Sequence, residues 1–270
     1  MTRSNKRNPG NDMAAKNWEP FVFVTDTHGD QEDREAVKLC REFVEDAKPK
    51  HRIHGGDFAD LRPLRKGAGA EERAERIEED WMAAVRLLDW LRPQTVLMGN
   101  HDYRLYEALD SNCGMTATTA GKMLESFQGE ACREPRTGGF LGKIGVKDYL
   151  PYHVQNGVFQ LGNINFIHGY RSTKYPAAAH AENYGPSVIC GHVHKYDVHI
   201  PRHFEGGMAM SAPTLARLDM RYLDKAVASL AHDNGWIYGV VNNRTGKWEA
   251  WCIRRQRGSN QWLDPRLRWI

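Results

Sequence analysis

Apolar and polar positions follow two periods along this chain. Phe21-Val22-Phe23-Val24 is an unbroken run of aromatic and β-branched residues that stops at Asp26-Thr27-His28-Gly29, which predicts a buried strand over 21–26 opening into a polar loop. Within 32–48, Ala36, Leu39, Cys40 and Phe43 recur at helical spacing, an amphipathic helix. A second strand is predicted over 51–57, then a long helix over 70–91 whose acidic first half suits its N-terminal dipole, then a third strand over 95–100. Strands and helices alternate, as in a parallel sheet with crossover helices. Each strand brings polar residues to its C-terminal end, the edge where open α/β sheets bind ligands.

Beyond residue 102 the pattern changes. Residues 103–150 are less regular, with a helix over 118–127 and a glycine-rich stretch, and read as an insertion that partly caps the neighbouring elements. A hairpin over 157–168 ends at His168, a helix covers 177–184, a short strand covers 188–192, and a second hairpin over 236–253 turns at Asn243-Arg244-Thr245-Gly246. This half therefore reads as mostly antiparallel. The domain plan is a polar segment over 1–20, one domain over 21–253 with its insertion at 103–150, and a basic tail over 254–270.

With 270 residues the chain is long enough for a substantial core, and 41% hydrophobic with 26% charged residues excludes a disordered or fibrous class. No apolar run approaches the roughly 20 residues that span a bilayer, and the polar N-terminus is no secretory signal. The net charge of +3 is unevenly placed: residues 1–20 carry +2 and residues 251–270 carry +4, which leaves the body at −3. A slightly acidic body lacks the broad basic face of a dedicated duplex-DNA binder, and the tail arginines fit a solvated surface. The cysteines, Cys40, Cys113, Cys132, Cys190 and Cys252, are odd in number and never in a CxxC pair. They fit a reducing cytoplasm, not a disulfide framework or zinc ribbon.

Five short segments fall at the predicted strand ends: Asp26-Thr27-His28, Gly56-Asp57, Gly99-Asn100-His101-Asp102, His168-Gly169 and Gly191-His192-Val193-His194. Together they supply carboxylates, an amide oxygen and imidazoles, a donor set suited to two divalent ions of borderline hardness such as manganese, iron, zinc or nickel. One carboxylate can bridge two ions about 3.5–4 Å apart.

The order DxH, GD, GNHD, H, GHxH resembles the calcineurin-like metallophosphoesterases and covers residues 21–194. The resemblance implies a four-layer α/β/β/α sandwich of two mixed sheets and a metal-dependent phosphoric ester hydrolase. It implies that Asp26, His28 and His194 hold one ion, that Asn100, His168 and His192 hold the other, and that Asp57 bridges them. His101 would contact the phosphoryl group or protonate the leaving oxygen, and a hydroxide from water between the ions would attack phosphorus in line. Asp60 either orients His101 or is a plain loop aspartate, and Asp102 either serves the site or caps the next helix. Arg171 and Lys174 either reach a substrate phosphate or are solvated. The tryptophans Trp236, Trp248, Trp251, Trp262 and Trp269 fit core positions better than base-stacking ones.

Histidines 51, 54, 153, 180, 199, 203 and 232 match no position of the pattern and fit surface or hydrogen-bonded core roles, with His54 beside Asp57 open to a supporting one. GDFADLR and GNHD depart from the GDxxDRG and GNHE of the protein-phosphatase branch and favour a phosphodiesterase or phosphatase acting on a small or accessible phosphoester. A nuclease holding nucleic acid with the arginine tail is the alternative, and a non-catalytic scaffold a third reading. The 103–150 segment is expected to set specificity because it follows GNHD directly. Nothing in the sequence specifies an oligomeric state.

Overall fold

The computed structural model describes residues 17–204, 206–220, 231–256, 258–264 and 268–269. Most of the expected N-terminal segment, and Arg257 and Arg266 of the expected basic tail, lie outside these. One sheet has eight strands, in the order β13-β12-β11-β10-β1-β2-β3-β4. From its middle to one edge β1 (Trp18–Val24), β2 (His51–His54), β3 (Thr95–Leu97) and β4 (Asp148–Leu150) run parallel. The hairpin β10 (Gly235–Asn242) and β11 (Trp248–Arg255) joins β1 antiparallel, followed by β12 (Trp262–Asp264) and β13 (Arg268–Trp269). The second sheet has the order β5-β6-β7-β9-β8, from β5 (Phe159–Leu161), β6 (Ile164–Ile167), β7 (Val188–Cys190), β8 (Asp197–His199) and β9 (Ala209–Ser211).

The apolar run of β1 explains the layering. Phe21 and Phe23 point between the sheets, against Ile164, Phe166, Ile189 and Met210 of the second sheet. Val22 and Val24 point outward and pack under α1 (Arg34–Ala47). A strand covered on both faces reads as continuous hydrophobicity instead of alternation. The remaining helices are α2 (Ala70–Arg73), α3 (Ile77–Leu91), α4 (Asn100–Glu107), α5 (Gly114–Gln128) and α6 (Gly139–Ile144), with α7 (Pro176–Tyr184) covering the second sheet. The result is the α/β/β/α sandwich.

Several elements differ from their sequence reading. The helix expected over 70–91 is two, α2 and α3, because Arg76 takes an extended backbone that lets Glu75 fold back and pair with Arg62. The 103–150 segment supplies β4, pairing along β3, and its Leu105, Leu124, Phe127, Leu141 and Tyr149 form a core with Val96 and Met98. It is thus part of the first sheet's outer layer. The second half is mixed, since β6, β7 and β9 run parallel; α7 provides the crossover from β6 to β7. At the far end Arg255 lies within β11 and pairs with Asp33 and Glu35 at the start of α1. Trp236 and Trp262 are buried against each other, with ring centroids 5.4 Å apart, while Trp251 is exposed.

Candidate metal centre

The C-terminal ends of β1, β2, β3, β6 and β7 converge from both sheets on one place. The loops after β1 and β2 run side by side: Asp26 N–H donates to Gly56 O (2.9 Å), and the Thr27 and His28 amides both donate to Asp57 O (3.0 Å each). Five of the sequence-identified residues, Asp26, His28, Asp57, His192 and His194, have φ between 50° and 75°. Non-glycine residues adopt this left-handed region at a cost of about 1–3 kcal/mol each, so the surrounding fold holds these side chains against local preference. Two glycines are obligatory for close approach: a Cβ on Gly99 would run into Asp57, and one on Gly191 into Thr25 and Asp26.

Two groups of buried donor atoms result. In the first, His28 Nε2 and His194 Nε2 face each other at 3.0 Å, and His194 Nε2 lies 3.5 Å from Asp26 Oδ1. Asp26 Oδ2 accepts from Thr25 Oγ1 and from the His192 amide, while Oδ1 is buried with no hydrogen-bond partner. In the second, His168 Nδ1 donates to Gly55 O (2.9 Å), which leaves its Nε2 lone pair facing Asp57 Oδ2 at 3.3 Å and Asn100 Oδ1 at 3.1 Å. Asn100 Oδ1 is also 2.9 Å from His192 Nδ1. Asp57 Oδ2 stands between the groups, 4.0 Å from His28 Nε2.

Lone pairs confronting one another in a buried space demand a cation or a proton between them. Asp26–His28–His194 and Asp57–His168–His192 each bring three such atoms within 4.8 Å, so these residues fit two divalent ions, with Asn100 adding a fourth oxygen to the second set. The protonation pattern agrees. Burial raises the Asp57 carboxyl, but the imidazoles of His168, His101 and His28 outweigh it and hold it well below the usual range. Burial lowers the His168 imidazole, but Asp57 raises it to about 9, so a proton competes with an ion there. His192 is pushed down to about 4 by burial and by His168, which favours the neutral imidazole a metal requires.

His101 and Asp60 sit at the edge of this space. His101 N–H donates to Asp57 Oδ1 (2.8 Å), and its Nδ1 lies 2.5 Å from Asp60 Oδ1, so Nε2 faces inward, 3.9 Å from Asp57 Oδ2. His28, Asp57 and His101 also bring three atoms within 4.8 Å, a grouping that spacing alone does not anticipate. Asp60 Oδ1 lies 3.6 Å from His28 Nδ1 as well, so one carboxylate addresses both imidazoles. Burial raises Asp60, and its hydrogen bond to His101 together with the nearby His28 imidazole overcomes this and holds it far below its ordinary range. Asp102 caps α4: it accepts from the amides of Gly99, Asp57 and Ala59 and braces the loop that carries Asp57. His54 is buried and accepts from Gly56 N–H (3.2 Å), supporting the same loop. Arg171 and Lys174 are exposed on the loop after His168.

Several supporting residues escape sequence reasoning. Arg62 donates to Asp60 Oδ2 and holds Asp30 with both its carboxylate oxygens, and Arg104 donates to Asp60 O. Asp80, read as part of the acidic start of a helix, is buried and accepts from the Asp60 and Leu61 amides. The available signal was its helical spacing to Ala84 and Leu87, which places it on the inner face. Ser172 Oγ lies 3.3 Å from His192 Nε2, and Tyr152 stands edge-on to His168, with ring centroids 5.9 Å apart. His232, read as a bland residue, packs edge-on to His194 at 5.1 Å.

No curated protein sequence matches the chain. Among solved structures it is similar to Vacuolar Protein Sorting 29 from Cryptosporidium parvum (14% identity, covering 91% of this chain and 96% of that one, TM-score 0.48). It is similar also to a metallophosphoesterase from Sphaerobacter thermophilus (15%, 87% and 87%, TM-score 0.44) and to Vps29 complexed with Zn+2 from Entamoeba histolytica (12%, 90% and 97%, TM-score 0.43). The model of the calcineurin-like phosphoesterases matches residues 19–196, a span from β1 to just past the last of the converging histidines. The chain belongs to the calcineurin-like phosphoesterase family.

Proposed function

We propose that the chain is a dimetal phosphohydrolase, a phosphodiesterase or phosphatase acting on a small or accessible phosphoester. The observation that carries this reading is the confrontation of Asp57, Asn100, His168 and His192 lone pairs beside the Asp26–His28–His194 group, with His101 facing the junction. Two divalent ions there, manganese first and iron, zinc or nickel as alternatives, supply an acidified water and positive charge at phosphorus. The protein's own part is positional. Asp57 Oδ1 holds the His101 amide, Asp60 fixes the far nitrogen of that ring, and the near nitrogen is free to give a proton to the departing oxygen. No serine or cysteine nucleophile enters this scheme.

The assignment of Arg171 and Lys174 as phosphate contacts belongs to the same reading. The nuclease alternative loses its arginine-tail argument in part, since Arg255 is already paired with Asp33 and Glu35. The scaffold reading gains nothing from a site in which every expected donor is present. Purified protein with added Mn2+ is expected to hydrolyse bis-p-nitrophenyl phosphate or p-nitrophenyl phosphate, and the ratio of the two rates assigns the diesterase or the phosphatase. Turnover should fall by roughly 10²-fold or more in Asn100→Ala and in His101→Ala. Failure to bind any divalent ion would overturn the reading.

A further inference from the structure

The loop that leaves His168 carries more than the phosphate contacts named so far. Ser172 Oγ at 3.3 Å from His192 Nε2 fixes this loop against the metal centre. Three residues on, Tyr175 is 59% exposed, with Lys174 Nζ 5.2 Å and Lys195 Nζ 5.9 Å from its ring centroid. Lys195 directly follows His194, and its Nζ donates to Lys174 O (2.7 Å), tying the two histidine-bearing loops together at the rim. An aromatic ring is thus left open to water beside two ammonium groups on the loops that carry the histidines. Arg171, Lys174 and Lys195 form no ion pair among the described residues, so their charge is available to an anion.

We infer that this rim is a nucleotide subsite, in which Tyr175 stacks on a base and Lys174 and Lys195 hold the phosphate next to the one being cleaved. The inference rests on the proposed phosphoesterase reading and names its substrate class: a nucleotidyl phosphoester, from a free nucleotide or from the end of a single strand. The chemistry fits both halves of such a ligand. Aromatic stacking is tolerant of base identity because every base has a π face, and the two lysines over the ring, which have no carboxylate partner, turn to the phosphate as the base takes their place.

The test is direct binding to the metal-loaded protein, read by quenching of 2-aminopurine in a mononucleotide and in a dinucleotide. Binding is expected to weaken at least about fivefold in Tyr175→Ala. In Lys174→Ala and in Lys195→Ala it is expected to weaken and to lose about one unit of its logarithmic salt slope. Lys38→Ala, in α1, serves as the control and keeps wild-type affinity. A dinucleotide that binds more tightly than the mononucleotide identifies a strand end as the source, and the reverse identifies a free nucleotide; either supports the subsite. Equal affinity for nucleotide and ribose phosphate, or wild-type binding by Tyr175→Ala, overturns it. Nucleotide binding without turnover of any phosphate ester would instead defeat the proposed activity and leave the subsite standing.

Discussion

A single oxygen of Asp60 addresses two imidazoles with different tasks, His101 at 2.5 Å and His28 at 3.6 Å. Arg62 anchors the other oxygen, so the carboxylate cannot swing away. Such supporting groups commonly account for 10- to 100-fold in metal affinity or activity. Asp60→Asn is therefore expected to lower kcat on bis-p-nitrophenyl phosphate by about 10- to 100-fold, with KM changed far less. Metal content measured alongside separates the His101 effect from the His28 effect: full metal loading with low kcat assigns the loss to His101. A variant as active as the wild type would show that Asp60 orients nothing. At this scale the sequence spoke unevenly. GNHD and GHxH announce chemistry by residue type and order, whereas Asp60, three residues after Asp57, is told from an ordinary loop aspartate only by the ring it meets in space.

At the scale of elements, the break between α2 and α3 shows how tertiary contacts redraw a helical pattern. Continuous acidic and apolar periodicity over 70–91 is compatible with one helix, but Glu75 is claimed by Arg62 and Asp80 by the loop that carries Asp60. Asp80 is pushed up to about 6, chiefly by burial, with the Asp60 and Asp30 carboxylates adding to it against the pull of two backbone amides. An unfolded aspartate titrates near 3.9, so between pH 4 and 6 the folded state holds the proton that the unfolded state has lost. Stability from this residue therefore falls as pH rises through that window, at up to about 1.4 kcal/mol per pH unit. Replacing Asp80 with Asn should flatten the decline, as measured by urea midpoints at pH 4.5 and 6.5. An unchanged difference between those midpoints would mean that Asp80 does not titrate there. The longer strand positions were legible because buried strands are dense in β-branched and aromatic residues; β4, β8, β9 and β12 were not, since three residues are too few to show a period.

For the whole molecule, the candidate centre lies where the two sheets meet at one end, and ions bound there would link β1, β2 and β3 to β6 and β7. Binding to the folded state alone adds about 2.7 kcal/mol per ion at a hundred times its dissociation constant. Dialysis against a chelator is accordingly expected to lower the thermal midpoint by about 10 °C, with Mn2+ restoring it. No shift on chelation would mean that the donor groups hold no ion in solution. Among the described residues no helix is long and apolar enough to cross a membrane, and all five cysteines are free.

The sequence by itself determined the family, the alternation of the first strands and helices along the chain and the kinds of donor atom at the strand ends, because these follow from local periodicity and from motifs a few residues long. Tertiary structure alone decided that β6, β7 and β9 run parallel, that the 103–150 segment belongs to the first sheet's outer layer, and that Arg255 is paired and not free. It also decided that Asp80 and Arg62 brace Asp60, and that Lys174 and Lys195 meet over the Tyr175 ring. Each of these depends on contacts between residues distant in the chain, and neither composition nor spacing encodes which of many distant partners a side chain meets.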